Sequence, residues 1–335
     1  MSRAVVIEGP HRVTFRSGGR PVPGAGEAVV RVAFAGICGS DVDLEDGRRP
    51  PPFVRYPIVP GHEWSGTVEL VGAGVPADLV GQPVVGENIR PCGHCEPCRR
   101  GNAPACESGY EETGFTLDGA WADHVVVAAA LLHVLPADAD LRSAAGIEPA
   151  ACAAAAILRA EVVAGDRVAV IGGGTIGLLC AQLARAAGAE ITVVDPQVGK
   201  EDLARRCGAG AFVAPATAER ELHDHFDVVI EAAGVVGSAA LALAVARRGA
   251  RVVICGIPPA NDTIGTLALV AKGLHVSSVF GAPHNAWCAA VCAFVAGSLD
   301  PGVLVTHELE LEDAKRALEM VAGGGPGVGK VLLRP

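Results

Sequence analysis

Four cysteines crowd into one short segment, which makes it the strongest candidate for chemistry in this 335-residue chain. They follow the spacing C-x2-C-x2-C-x7-C and are Cys92, Cys95, Cys98 and Cys106. The Gly and Pro residues around them favour turns, so the segment can fold around one ion. Four thiolates complete the tetrahedral coordination of Zn²⁺ and leave no position for a substrate, so the pattern predicts a structural zinc site. Two disulfides or an iron–sulfur cluster are the alternatives.

A cysteine and a histidine earlier in the chain are candidates for a second metal site. Cys38 stands in the run Gly-Ile-Cys-Gly-Ser-Asp, and His62 stands in the run Pro-Gly-His-Glu. Both runs come at predicted strand–loop junctions, where flanking glycines let two backbones approach closely. A single cysteine or histidine is more often a structural residue than a ligand. Their occurrence in the same β-rich region as the four-cysteine segment favours a second, separate metal site.

A glycine-rich loop between a predicted strand and a predicted helix has the spacing of a dinucleotide-binding site. Gly172 permits the tight turn, Gly174 lets a pyrophosphate approach the backbone, and Gly177 lets the helix pack closely on the strand. The start of the helix then offers unpaired N–H groups to phosphate oxygens. The residues predicted to contact the cofactor here are Gly172, Gly174, Thr175, Ile176 and Gly177.

An aspartate, Asp195, ends the next predicted strand. A carboxylate at that place can accept hydrogen bonds from both hydroxyls of the adenosine ribose, and its charge would repel a 2′-phosphate. The sequence therefore favours NAD over NADP. Lys200, five residues further on, could lie beside the same ribose or be a solvated lysine at a helix start. For Asp195 the alternative is a loop acid in a fold that binds no nucleotide.

The elements that would carry these residues change in type along the chain. Residues 1–140 contain short Val-rich runs broken by Gly and Pro, which predict an irregular, β-rich lobe. From about Gly165, buried parallel strands alternate with Ala- and Leu-rich helices. In this second region the predicted strands are Arg167–Ile171, Glu190–Asp195, Asp227–Ile230 and Arg251–Cys255, and the predicted helices are Thr175–Gly188, Lys200–Gly208 and Val236–Arg248. The tail is predicted to add the helices Ala286–Gly297 and Leu311–Gly323 and the strand Lys330–Leu333.

The composition of the whole chain argues against several classes of protein. The net charge of −10, from 27 basic and 37 acidic side chains, argues against a nucleic-acid-binding protein. No uninterrupted apolar stretch is long enough to span a membrane, and the first residues meet an acid too early for a signal peptide. We therefore expect a cytoplasmic protein that binds neither nucleic acid nor membranes and whose 11 cysteines are reduced.

In their order, these motifs resemble those of the zinc-dependent medium-chain dehydrogenases, the alcohol and polyol dehydrogenase family, over essentially the whole chain. The resemblance implies an α/β protein with a GroES-like, β-rich catalytic domain and a Rossmann domain with a doubly wound parallel sheet. The implied domains are a catalytic domain at 1–149 with a structural zinc lobe at about 90–107, an NAD-binding domain at 150–282, and a return to the catalytic domain at 283–335. Relatives of this kind are dimers or tetramers, so a homodimer or homotetramer is expected.

The same resemblance assigns the ligands of a catalytic zinc ion. It implies that Cys38 and His62 bind the ion and that Glu63 is a carboxylate able to bind it in the resting state. Where alcohol dehydrogenases have a second cysteine ligand, this chain has Glu148, followed by a proline. That Glu-Pro pair is typical of the sorbitol and threonine dehydrogenase branch. Cys152 is nearby but out of register, and we interpret it as a helix core residue.

A mechanism is also implied by the resemblance. The zinc ion lowers the pKa of a substrate hydroxyl, Asp41 orients the His62 ring, and Ser40 takes the proton of the alcohol. Hydride then passes to the nicotinamide of NAD. Many relatives carry a histidine three residues after the serine, where this chain has Asp43. Asp43 could accept the proton through water, or it could be solvated while the relay ends at the cofactor ribose.

The substrate is suggested by a finer likeness within the family. Four segments, at residues 59–66, 114–120, 147–149 and 305–308, look most like the 2-deoxy-scyllo-inosamine dehydrogenases of aminoglycoside biosynthesis. These enzymes oxidise a ring hydroxyl of an aminocyclitol or amino sugar to a ketone. The alternative is a general polyol (sorbitol-like) or L-threonine 3-dehydrogenase of primary metabolism with the same zinc and NAD. A zinc-free quinone reductase or a non-catalytic nucleotide-binding relative leaves the combination of Cys38, His62 and Glu148 unexplained. A nucleic-acid-binding zinc module does not fit the four-cysteine segment, which has only Arg99 and Arg100 as basic charge. The candidate pocket residues are Ser40, Glu111, Glu112, Trp121 and Asn285.

Overall fold

The chain forms two compact units in a computed structural model that describes residues 1–325 and 327–335. One unit consists of Met1–Glu148 and Leu304–Pro335, and the other of Pro149–Val303. The chain therefore leaves the first unit, forms the second, and returns to the first. The return comes at Leu304 rather than at the predicted residue 283. It comes later because the segment after residue 283 stays with the second unit, where the Gln182 amide donates to the carbonyl of Asp300 (3.1 Å) and accepts from its N–H (2.7 Å).

The first unit is built mainly from strands joined by irregular loops. Its elements before the crossing are β1 (Ser2–Gly9), β2 (Arg12–Gly18), β3 (Glu27–Ile37), α1 (Gly39–Glu45), β4 (Trp64–Val71), β5 (Pro83–Gly86), α2 (Glu96–Arg99), β6 (His124–Ala128), β7 (Leu132–Val134), α3 (Leu141–Ala144) and the start of α4 (Ile147–Ala160). Strands β3 and β4 are antiparallel, with Ala35 opposite Trp64. The loops that follow β3 and precede β4 therefore lie at the same end of the sheet.

The second unit alternates strands and helices, as predicted from the alternation of buried strands with Ala- and Leu-rich helices in its sequence. After α4 its elements are β8 (Arg167–Ile171), α5 (Thr175–Ala186), β9 (Glu190–Val194), α6 (Glu201–Arg206), β10 (Ala211–Val213), α7 (Pro215–Glu221), β11 (Phe226–Glu231), α8 (Ser238–Val245), β12 (Ala246–Ile254), α9 (Thr266–Lys272), β13 (His275–Ser278) and α10 (His284–Val295). All strand pairs are parallel, in the order β10-β9-β8-β11-β12-β13. Successive strands are thus added outward on either side of the β8–β11 pair, which places a binding crevice at the carboxyl ends of these two strands.

The last elements return to the sheet of the first unit. They are β14 (Val305–Glu310), α11 (Ala314–Gly323) and β15 (Lys330–Arg334). Strand β15 pairs antiparallel with β3 on one side and parallel with β14 on the other, so residues from both ends of the chain share one sheet. Residues from both segments also share its core, in which Val30, Trp64, Trp121 and Leu333 are at most 2% exposed.

The structure differs from the sequence expectations at the margins of the second unit. The helix predicted at Val236–Arg248 ends at Val245, because the chain from Ala246 onward already belongs to β12 and pairs with β11 at Phe226. The short edge strands β10 and β13 are additional, since three or four residues are too few to show a strand pattern in the sequence. Among the described residues, no helix combines the length and the apolar character needed to cross a membrane.

Candidate metal and cofactor sites

The four-cysteine segment gathers its sulfurs in one place. The ligand atoms of the four cysteines lie within 4.8 Å of one another. The Sγ atoms of Cys92 and Cys98 are 3.8 Å apart, the separation that a tetrahedral site with Zn–S bonds of about 2.3 Å requires, and well beyond the about 2.05 Å of a disulfide. Hydrogen bonds from Ser108 and from backbone N–H groups lower the pKa of Cys92, whereas burial and the neighbouring thiols raise the pKa of Cys98, so the hydrogen bonds favour the thiolate form at Cys92. These donors fit one structural zinc ion.

The second candidate metal site is formed where β3 ends and β4 begins. Cys38 caps the N-terminus of α1 directly after β3, and His62 and Glu63 directly precede β4. Their ligand atoms lie within 4.8 Å of one another. Gly61 is needed beside them because its φ is +100° and a side chain there would collide with the ring of Trp121. The antiparallel pairing of β3 with β4 thus brings together Cys38 and His62, the candidates for a second metal site, and Glu63, which only the resemblance had added.

Asp41 ties the two ligand loops together. Its Oδ2 accepts a hydrogen bond from the N–H of Cys38 (2.9 Å), and its Oδ1 lies 3.4 Å from Nδ1 of His62. Nδ1 therefore faces Asp41, and Nε2 is the ring nitrogen left for an ion. Burial alone would lower the pKa of His62, but the carboxylate of Asp41 and the thiol of Cys38 raise this pKa well above its ordinary value. The surroundings of the ring therefore stabilise a positive charge, which is the property that a cation site requires.

A lysine that the sequence analysis missed lies beside this site. Nζ of Lys330, at the start of β15, is 2.8 and 2.7 Å from the two carboxylate oxygens of Glu63 and 3.2 Å from the carbonyl oxygen of Ile37. Lys330 is 5% exposed and Glu63 1%. Glu63 is therefore engaged by Lys330, and binding an ion through Glu63 requires that this pair loosen. The sequence signal for Lys330 is a charged residue directly before the apolar run 331–333 of β15.

Glu148 lies outside the group formed by Cys38, His62 and Glu63, but it is electrostatically coupled to it. It is the second residue of α4 and is 8% exposed. Burial raises the pKa of Glu148 to about 8, while the imidazole of His62 acts in the opposite direction. Its Oε1 accepts a hydrogen bond from Nδ2 of Asn88 (2.8 Å), a second buried residue that the sequence analysis missed.

The predicted relay residues are both on α1. Ser40 is half-buried and two residues from Cys38. Asp43 accepts hydrogen bonds from Nη2 (2.7 Å) and Nε (3.0 Å) of Arg48, and its side chain is 49% exposed. Asp43 is thus a solvated residue in a surface ion pair.

Other residues proposed for the substrate pocket have different surroundings. Trp121 is fully buried, and its Nε1 donates to the carbonyl oxygen of Gly36, so it is a core residue. Glu111 is exposed, whereas Glu112 is buried and hydrogen-bonded.

The glycine loop of the second unit has the conformation that the motif predicts. Gly172 has a φ of +104°, and a side chain at Gly177 would overlap the carbonyl oxygen of Gly172. Gly174 is the N-cap residue of α5 and, having no side chain, accepts no hydrogen bond from the first turn. There is open space where a side chain at this position would be. The first turn of α5, which contains Thr175 and Ile176, therefore offers free N–H groups to an anion.

A cavity of about 630 Å³ adjoins this loop and has Asp195 and Lys200 in its wall. Asp195 directly follows β9, and its carboxylate accepts hydrogen bonds from the N–H groups of Gly173 (2.7 Å) and Gln197 (2.8 Å). Nζ of Lys200 lies 3.3 Å from Oδ2 of Asp195. The volume suits a nucleotide-sized ligand, and Asp195 connects the glycine loop to the end of the next strand.

Glu231 is a third buried residue that sequence reasoning did not single out. It ends β11 and is 1% exposed. Its Oε1 accepts from the N–H groups of Ala233 (2.9 Å) and Gly234 (2.8 Å), and its Oε2 accepts from the N–H of Gly256 (3.2 Å). Glu231 thus joins the loops that follow β11 and β12, at the carboxyl edge of the sheet.

Two family models match the chain in the regions that these sites occupy. The alcohol dehydrogenase GroES-like domain matches residues 24–137, and the zinc-binding dehydrogenase domain matches residues 175–296. These matches confirm the predicted fold class, a GroES-like domain combined with a Rossmann domain.

Similar proteins include a curated relative and two solved structures. D-xylulose reductase A of Aspergillus niger is 34% identical over 95% of this chain and 93% of its own length. A short chain alcohol dehydrogenase of Escherichia coli CFT073, complexed with NADH, is 27% identical with a TM-score of 0.92 over 100% of this chain and 99% of its own. A zinc-binding dehydrogenase of Sinorhizobium meliloti 1021, bound to NADP, is 30% identical with a TM-score of 0.92 and the same coverage. The name of the first relative supports the polyol alternative better than the aminocyclitol interpretation.

Proposed function

This chain belongs to the zinc-dependent medium-chain alcohol and polyol dehydrogenase family, and on that premise we propose that Cys38 and His62 bind a catalytic zinc ion. Glu148 and Glu63 are the proposed carboxylate ligands, Glu63 only when it leaves Lys330. The proposal rests on the buried pair of Asp41 and His62. Among the described residues neither Oδ1 of Asp41 nor Nδ1 of His62 has a hydrogen-bond partner, and the two buried atoms face each other at 3.4 Å in surroundings that stabilise positive charge.

The proposed reaction oxidises a secondary alcohol to a ketone while NAD⁺ becomes NADH and one proton is released. A zinc ion at this site supplies an electrophile that lowers the pKa of the bound hydroxyl. Ser40 accepts the hydroxyl proton while passing its own proton on towards the cofactor ribose, and Asp41 keeps the His62 ring in the orientation described above. NAD, when bound, supplies the hydride acceptor, and the chain's part is to hold its pyrophosphate against the start of α5.

NAD is the proposed cofactor in preference to NADP. The carboxylate of Asp195 borders the cavity beside the glycine loop, where its charge disfavours a 2′-phosphate. Lys200 offsets part of this charge, so we expect preference rather than exclusion. The ratio of kcat/KM for NAD to that for NADP should exceed about 10 and should fall in Asp195→Asn, since each tenfold step equals about 1.4 kcal/mol. A wild-type preference for NADP would contradict this assignment.

We infer that the substrate is a polyol, oxidised to a ketose. The name of the Aspergillus relative describes reduction of a ketose, which is the same reaction in reverse. Glu112 is the buried carboxylate that could have received an ammonium group, but it accepts hydrogen bonds from Arg49, Tyr110 and Asn88. Oxidation of an aminocyclitol therefore has less support than oxidation of an uncharged polyol.

A panel of substrates tests the inferred substrate. NADH absorbance should rise with NAD and xylitol or sorbitol, and it should stay flat with L-threonine and with an aminocyclitol. A response confined to the aminocyclitol would restore that interpretation.

Metal analysis tests the proposed centre independently of the substrate. We expect two zinc ions per chain and one in Cys38→Ser, with loss of dehydrogenase activity. Cys98→Ser is the matched control, because it should lose the other ion and destabilise the cysteine segment. Retention of both ions in Cys38→Ser would refute the proposed ligand set.

We also propose that the protein is a homo-oligomer assembled through β13. Strand β13 is an edge of its sheet, so one side of its backbone is available for pairing. Val276 in this strand is 38% exposed, and Leu267 and Val270 of the neighbouring α9 are 80% and 81% exposed. A second copy would cover these side chains through a symmetric contact.

A further inference from the structure

A buried chain of polar groups leads away from the proposed catalytic site through Asn88. Its Nδ2 donates one hydrogen bond to Oε1 of Glu148 (2.8 Å) and another to Oε1 of Glu112 (3.0 Å). Asn88 is 4% exposed, Glu112 6% and Glu148 8%, so these contacts are shielded from water. Since both N–H groups of the amide point at carboxylates, its orientation is fixed by its neighbours.

The far carboxylate, Glu112, is itself held firmly. Its Oε2 accepts from Nη2 of Arg49 (2.7 Å) and from the hydroxyl of Tyr110, and its backbone N–H donates to Oγ1 of Thr116 (2.7 Å). The guanidinium of Arg49 lies 3.5 Å from the centre of the Phe115 ring. Glu112 is therefore a fixed, charge-compensated acceptor that anchors Asn88.

The near carboxylate, Glu148, has one oxygen committed to this chain. Asn88 occupies its Oε1, which leaves Oε2 as the oxygen that can turn towards a cation. Without the Asn88 amide, Glu148 and Glu112 would face each other as buried carboxylates, with Glu63 acting as a further like charge. Such carboxylates repel each other, and no hydrogen bond from the described part of the chain would then define the rotamer of Glu148.

We propose that Asn88 is a positioning residue that makes Glu148 a single-oxygen ligand of the catalytic zinc ion, with Glu112 as its anchor. The inference rests on the proposed function, because it requires a zinc ion at Cys38 and His62. Hydrogen bonds to a ligating carboxylate fix its orientation, and their loss typically weakens metal binding 10- to 100-fold.

A double-mutant cycle on zinc affinity tests this role without relying on activity. Chelator competition measures the release of each zinc ion from wild type, Asn88→Ala, Glu148→Ala and the double variant. We expect about 10- to 100-fold weaker binding of the catalytic ion in Asn88→Ala. The double variant should bind no more weakly than Glu148→Ala, because Asn88 acts only through Glu148. Additive losses, or a catalytic-ion affinity unchanged in Asn88→Ala, would overturn the proposal.

The controls separate a metal effect from a folding effect. The zinc ion of the four cysteines is an internal reference, and its affinity should be unchanged in every variant. His124→Gln is the matched control: His124 is buried in the same unit and hydrogen-bonded to Glu69 (3.0 Å), so this variant should lose stability but not zinc. If Asn88→Ala does not fold, Asn88→Ser enters the same cycle with the same expectations. A wild type with no zinc ion beyond the cysteine site would refute the proposed function itself, whereas two ions with an additive cycle would refute only the role of Asn88.

Discussion

At the scale of single residues, the proposed catalytic site is defined by the pairing of its charges. Asp41 faces His62, Lys330 faces Glu63, and Asn88 separates Glu148 from the next carboxylate. Each acid near the proposed ion thus has a partner of its own. Asp43 differs, since its partner Arg48 is 59% exposed and a surface ion pair of this kind contributes little, about 0–1 kcal/mol.

This difference predicts unequal effects of two substitutions on α1. Ser40→Ala should lower kcat about 100-fold, because general acid–base groups contribute at least that much. Asp43→Asn should lower it less than threefold, since Asp43 is solvated and bound to Arg48. Steady-state rates at saturating NAD and polyol check both values. A larger loss at Asp43 would make it an obligatory member of the proton relay.

The sequence predicts the parts of the site that local residue patterns encode, but not the parts that depend on tertiary contacts. The four cysteines and the glycine loop are local patterns that the sequence itself shows. Disulfides or an iron–sulfur cluster stayed alternatives for the cysteines, and the glycine spacing needed Asp195 beside it to indicate a dinucleotide. Cys38 and His62 needed the resemblance, because their meeting depends on the pairing of β3 with β4. Lys330 is marked only as a charged residue before an apolar run, and Asn88 carries no local pattern. Their partners Glu63 and Glu148 lie 267 and 60 residues away, and only the tertiary fold brings them together.

At the scale of elements, the sequence predicts the strands and helices of the second unit better than their ends. The core strands β8, β9 and β11 are apolar runs, whereas β10 and β13 are short edge strands with little signal. The late return of the chain at Leu304 was not predictable, because it depends on contacts such as that of Gln182 with Asp300. The glycines of the loop between β8 and α5 have two separable functions, cofactor binding and folding.

Substitutions in the glycine loop should separate cofactor binding from folding. Gly174→Ala places a methyl group in open space at the start of α5, so the melting temperature should hardly change. The methyl group should nevertheless obstruct the pyrophosphate and weaken NAD binding about tenfold or more. Gly177→Ala should lower both the melting temperature and the affinity, because its side chain would overlap the backbone of Gly172. Fluorescence titration with NADH and thermal melts distinguish the two; equal melting temperatures would contradict this assignment.

The strand pair β8–β11 gives a prediction about pH. Burial would raise the pKa of Asp227, but the N–H of Arg167 and the guanidinium groups of Arg247 and Arg167 lower it below its ordinary value. A lowered pKa stabilises the fold above the unfolded-state value of about 3.9, and this contribution is lost as the pH falls through the folded-state pKa. Asp227→Asn should therefore cost about 1–2 kcal/mol at neutral pH and less at about pH 3.5.

Urea unfolding at the two pH values measures this difference. Glu190→Gln is the control, because Glu190 is exposed and lies opposite Arg167 on the neighbouring strand β9. It should change stability by less than about 0.5 kcal/mol at either pH. A cost for Asp227→Asn that grows as the pH falls would contradict the sign of the pKa shift.

At the scale of the whole molecule, each proposed site lies within one unit. The metal ligands belong to Met1–Glu148, and the glycine loop and Asp195 belong to Pro149–Val303. Zinc content and cofactor affinity should therefore respond to different sets of substitutions. The exposed edge strand β13 is the part of the molecule that we propose to form the contact between two copies.

A charged residue in β13 should disrupt the proposed oligomer. Val276→Lys places an ammonium group on the edge strand, where pairing with a second copy would bury it. Sedimentation should show a smaller species with an unchanged far-UV spectrum. Val80→Lys, at a 45% exposed position of the first unit, is the control and should leave the wild-type mass unchanged. A wild type that is monomeric at micromolar concentration would refute the proposed assembly.

The position of β15 between β14 and β3 has a consequence for how the protein matures during synthesis. The cysteine segment needs only residues 92–106 and can capture its metal while translation is still under way. The carboxylate of Glu63 is neutralised by Lys330 only after residue 330 has left the ribosome. We therefore expect nascent chains to bind the structural ion first and to complete the charge balance of the catalytic site only when β15 has paired with β3.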